Sequence, residues 1–118
     1  MFFAVYWAAM MSVQTPIQAA PPPPDTAPEI LGQGTVSQPD RYEYCQTLSR
    51  DRRSLTIGVE HGQWQSIETY TWDGASWVGP TPVIGSPDFN AHDPYLSRDE
   101  QRLYFINQSR GSADLAYL

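Results

Sequence analysis

The sequence contains no lysine: all seven of its cationic residues are arginine, against 13 acidic ones, for a net charge of −6. A chain with that balance lacks the basic footprint that phosphate backbones require, which excludes nucleic acid as a partner and argues equally against an anionic membrane surface. Cysteine occurs once, at Cys45, so no internal disulfide can form. Cys45 lies in an alternating apolar run and is expected to be a buried free thiol. With one cysteine and two histidines, a zinc site of three or four ligands is not expected, nor is any cofactor. Missing too are a Gly-x-Ser-x-Gly elbow, a phosphate-binding glycine loop and a His-Glu-x-x-His helix, so no catalytic residues are assigned.

What the chain does have is 13% aromatic residues and 11 prolines, a composition that suits strands and turns rather than helices. Met1 to Val13 is apolar, and the first charge is Asp25. That run falls short of the roughly 20 residues a membrane helix needs. It matches the apolar core of an export signal, followed by small residues suited to cleavage near Ala19 or Ala20, although no Lys or Arg precedes it. Residues 1–20 are therefore expected to be a signal-like segment, the location to be periplasmic or secreted, and the protein not to be integral to a membrane. Residues 21–40 open with four prolines and continue as "LGQGTVSQPD", which predicts an extended, disordered spacer.

Beyond the spacer the sequence repeats itself. Leu48-Ser49-Arg50-Asp51 recurs as Leu96-Ser97-Arg98-Asp99. The same offset carries Leu55 onto Leu103, Ile57 onto Phe105 and Ile67 onto Leu115 without an insertion. A period of about 40–50 residues is typical of propeller blades. "SLTIGVE" alternates, with Leu55, Ile57 and Val59 on one face, while "RLYFIN" is apolar on both faces and is expected to lie between two sheets. Strands are predicted at 43–48, 54–60, 66–72 and about 76–78, then at 93–97, 102–107 and 113–118. Asp73-Gly74 marks a tight turn, and Pro80 and Pro82 are expected to end the fourth strand. The fold class is thus all-β, as antiparallel four-stranded units in tandem.

"DPYLSRDEQRLYFINQSRGSADLAYL" resembles the WD-like propeller repeat of the TolB family, whose pattern runs Asp-Pro-x-Leu-Ser-Pro-Asp-Gly, then Leu-Tyr-Phe, Arg-Gly and Asp-Ile-Tyr. Asp93-Pro94, Leu96-Ser97, Asp99, Leu103-Tyr104-Phe105, Arg110-Gly111 and Asp114-Leu115 stand in those places. The earlier repeat matches through Leu48-Ser49, Asp51 and Leu55. The family's proline is replaced by Arg50 and Arg98, and its turn glycine by Arg52 and Glu100, which suits a turn that does not need positive φ. The resemblance implies an incomplete propeller of about two blades, one over about 41–80 and a partial one over about 91–118. It also implies a role in protein or ligand binding, with loops and a channel offered to an envelope partner or to further blades. The propeller portion of a larger serine peptidase or carbohydrate-active enzyme is the alternative it leaves open.

Ser49, Asp51, Ser97 and Asp99 recur once per repeat. A turn is needed in every repeat and a catalytic group only once, so these four are expected to build turns. His92 and Asp93 precede an innermost strand, and Arg98 follows it; the three are candidates for binding at the channel or rim. Tyr44 and Cys45 occupy the positions equivalent to His92 and Asp93, so no ring of like ligands is expected. A blade face without a neighbour is expected to promote self-association.

Overall fold

A computed structural model of the chain describes residues 28–118. The expected signal-like segment and the four prolines lie outside the described residues. Seven strands and one short 3₁₀ turn make up the secondary structure, and the described residues contain no α-helix. Strands β1 (Tyr42–Leu48), β2 (Ser54–Glu60), β3 (Gln65–Trp72) and β4 (Trp77–Ile84) form one antiparallel sheet in chain order. Strands β5 (Ala91–Leu96), β6 (Leu103–Asn107) and β7 (Asp114–Tyr117) form a second. The described residues are all-β, in two sheets that do not close into a ring.

The sheets repeat one another in detail. Pairing of β1 with β2 slips between Tyr44 and Thr47, and pairing of β5 with β6 slips at the equivalent place, between His92 and Tyr95. At the two bulges Cys45 and Asp93 both take positive φ, 45° and 54°.

Cross-strand pairing assigns each side chain to a face. On one face of the first sheet lie Leu55, Ile57, Val59 and Tyr70, in a core cluster with Val36 and the flank of Trp77. On its other face lie Ile67 and Ile84, which meet Ala91, Leu103, Phe105 and Ala116 of the second sheet. Leu103 and Phe105 are the equivalents of Leu55 and Ile57. The same face of each repeat is therefore its buried face, and the sheets stack head to tail. A Cβ at Gly58 would come within 2.9 Å of the Tyr44 ring lying over it, so any larger residue there needs that ring to shift.

Four differences from the sequence expectations have physical causes. Half of the expected spacer is folded: a turn at 32–37, closed by the Val36 N–H donating to the Gly32 carbonyl, drives Val36 into the core at 3% exposure. Arg41 ties the same segment down, bonding to Glu68 at 2.8 Å and to the Tyr70 hydroxyl at 3.3 Å. Second, β4 runs on through Pro80 and Pro82 to Ile84; as an edge strand it can hold prolines whose missing donors face away from the ladder. Third, the strand buried on both faces is β2, not β6, because β2 lies between the 28–41 segment and the second sheet, whereas only Phe105 of β6 is fully buried. Fourth, Cys45 is exposed, since the bulge turns it out of the alternation.

Candidate functional site

Each repeat places its Ser and Asp in the turn after its first strand. The Ser49 hydroxyl donates to Asp51 at 2.6 Å and accepts from the Ser54 N–H at 2.9 Å. Ser97 does the same with Asp99 at 2.6 Å and the Arg102 N–H at 3.0 Å. Asp51 and Asp99 each accept a further N–H, from Arg53 and from Gln101. These donors hold both exposed carboxyls below the ordinary carboxylate range, the serine hydroxyl contributing most. Both turns do require positive φ: Arg52 and Glu100 each sit at 60°, where a side chain is strained.

The stacked turns form one rim. The Arg50 N–H donates to the Glu100 carboxylate, so the turns are joined directly. Arg98 lines an open hollow of about 460 Å³ here with Arg50, Arg102 and Tyr104. The Arg102 guanidinium also lies over the Tyr117 ring, 5.3 Å from its centre.

The second cluster is at the paired bulges. His92 Nδ1 lies 3.3 Å from the Asp93 carboxylate. Head-to-tail stacking brings Asp93 beside its own equivalent in the first repeat, Cys45. The thiol is pushed up by bonding to Asp93, then by partial burial and by the carboxylate's charge. Tyr44 is pushed up to about 12, chiefly by burial and then by Asp93. The Tyr44 hydroxyl and His92 Nε2 are buried without a partner. Thiol and phenol are both held in their protonated forms at neutral pH, the opposite of what an activated nucleophile needs. The cluster can offer hydrogen bonds and one negative charge to a polar group at the strand edge. Among the described residues, no group of three or more His, Cys, Asp and Glu side chains is placed to hold a metal ion.

The three candidate binding residues thus divide. His92 and Asp93 form a pair, while Arg98 belongs to the rim. Cys45 and Tyr44 are the members that sequence reasoning set aside. The signal for them was the repeat offset itself: if repeats stack in register, equivalent positions become neighbours. Compared with family models, with curated proteins and with solved structures, the chain matches none.

Proposed function

We propose that the chain is an exported, non-catalytic repeat protein of β-propeller type, similar to TolB-like blades, that binds a protein or ligand partner in the cell envelope. One observation carries the reading: the two sheets repeat the same bulge and the same αL turn at equivalent positions, and stack in the same sense. This is how blades follow one another in a propeller, whose inner strand edges and rim loops serve recognition. The paired bulges around Asp93 and the arginine rim around Arg98 are the surfaces such a protein would offer. Among the described residues no helix is long and apolar enough to cross a membrane.

The test is to express the full chain with its own N-terminus and fractionate the cells. A periplasmic or secreted product beginning near residue 20 or 21 is expected, as is capture of an envelope protein that Asp93→Asn or Arg98→Ala weakens. Intact Met1 on cytoplasmic protein would overturn export. Turnover of ester, peptide or glycoside substrates that a single substitution abolishes would overturn the non-catalytic reading.

A further inference from the structure

The two sheets share one interface and leave two faces outside it. One is the Leu55–Ile57–Val59 face of the first sheet, equivalent to the face through which the second sheet docks. The other is the outer face of the second sheet, equivalent to the face of the first sheet that receives it. Pairing puts Ile106 beside Leu115 and Tyr104 beside Tyr117 on that outer face. Leu115 is 72% and Tyr117 63% exposed. By position in the repeat, the two faces outside the interface correspond to the two halves of the contact already made inside the molecule, with larger apolar side chains on the outer one. The first is occupied by the chain's own segment 28–41, anchored by one buried apolar side chain, Val36, and at its end by Arg41 on Glu68 and Tyr70. That segment fills the face incompletely, leaving an open cavity of about 250 Å³ between Leu31, Val36, Leu55 and Ile57.

We infer that the segment 28–41 is a strap over a self-assembly face, and that the occupant it excludes is the outer face of the second sheet of another copy. The contact is heterologous, one copy's first sheet on the next copy's second, and it continues the internal stacking instead of starting a new geometry. A tethered strap competes at an effective concentration on the order of millimolar, so the intact chain stays monomeric at micromolar concentration. Loosening the strap frees the face. This inference needs only the stacking of the two sheets, and the binding role proposed above can fail without it.

The experiment is sedimentation equilibrium on the full chain over a hundredfold concentration range, with circular dichroism to verify strand content. Val36→Asp puts a charge among Leu55, Ile57 and Tyr70 and detaches the strap. Its average mass is expected to rise with concentration beyond that of a dimer, while wild type stays monomeric. Adding Leu115→Glu, on the opposite face, is expected to return Val36→Asp to monomer. A folded, monomeric Val36→Asp protein overturns the inference, as does association that Leu115→Glu leaves intact. Wild-type association that Leu115→Glu abolishes and Val36→Asp does not change also overturns it, because two outer faces would then be pairing with each other. If Val36→Asp loses its strand signal, the decision passes to Val36→Ala, which keeps the 32–37 turn. It must show the same Leu115-dependent association at higher concentration, and its absence refutes the strap.

Discussion

The two repeats share a backbone and differ in what covers them. On the face that receives the second sheet, the first repeat carries Thr56, Gly58 and Thr69, with the two threonine hydroxyls bonded at 2.9 Å. The second repeat carries Tyr104, Ile106 and Tyr117 at the equivalent positions, and the two tyrosine rings lie 5.9 Å apart. Small side chains let the Leu103–Phe105 face come close and leave room for Tyr44 over Gly58. Large ones stand on the outer face, against which no sheet of this chain is packed. The turn and the bulge belong to the repeat itself, whereas the face residues record the neighbour. Each sheet is therefore read best from its turns, and its place in the stack from the size of the residues between them.

The largest way to break the comparison is at the shared interface. Phe105 is 2% exposed and fills the contact between the sheets. Phe105→Ala is expected to cost about 3–5 kcal/mol through lost burial and the cavity left behind. Ile106, one residue on and half-buried on the outer face, is expected to cost less than about 1 kcal/mol as Ile106→Val. Urea denaturation followed by tryptophan fluorescence measures both, and equal losses would mean that the outer face is as closely packed as the inner one.

Next in size is Gly58. A methyl group there meets the Tyr44 ring, so Gly58→Ala is expected to destabilise by about 1–3 kcal/mol. Tyr44→Ala in the same chain should relieve the strain component, which a double-mutant cycle on thermal melts would detect. The second repeat gives the contrast: Ile106 already has a side chain at that position, paired with His92. The identical offset thus hides different packing, and additivity in the cycle would show that Tyr44 moves aside freely.

The strained turns provide a smaller and more symmetric test. Arg52 and Glu100 both carry the αL strain, so glycine at either position is expected to stabilise by about 0.5–1 kcal/mol. Glu100 also accepts the Arg50 N–H, so Glu100→Gly should gain less than Arg52→Gly. Differential melting of the two variants checks the order, and a loss in both would mean that these turns do not hold the conformation described.

Much of this was legible in the sequence. The repeat offset, Ser49 onto Ser97, located both turns, and alternation located six of the seven strands closely, because each is set by local chemistry: a hydroxyl and a carboxylate closing a turn, or apolar residues every second position. The rest depended on neighbours. Val36 is one apolar residue in a polar, glycine-containing stretch, and nothing local says that it enters a core made by Leu55 and Tyr70. Pro80 and Pro82 read as a strand end because the sequence does not say that β4 is an edge. Cys45 reads as buried because alternation continues through "YEYCQTL" on paper, whereas the bulge breaks it in space. The Asp93 carboxylate that raises the Cys45 thiol belongs to the other repeat, and only their stacking brings the two together.

The smallest effect concerns acid. Asp51 and Asp99 lie on fully exposed turns, and both carboxyls are held below their ordinary range, first by the Ser49 and Ser97 hydroxyls and then by the N–H groups of Arg53 and Gln101. A carboxyl whose folded pKa is depressed stabilises the fold at every pH above its unfolded value, roughly 4. That contribution declines as the pH falls from there through the folded value, where both states become protonated. The turns should therefore loosen only below about pH 4, and should do so together, since the two are built alike. Ser49→Ala removes the hydroxyl donor from one turn alone. Carbon-detected titration of the aspartate carboxyls should then show Asp51 returning towards the ordinary range while Asp99 keeps its depression, and Ser97→Ala should do the reverse. A shift of both carboxyls on either substitution would mean that the Arg50–Glu100 link couples the rim into one unit. A shift of neither would mean that the backbone donors suffice, and that the serine repeated in each turn is kept for its bonds to the Ser54 and Arg102 N–H groups instead.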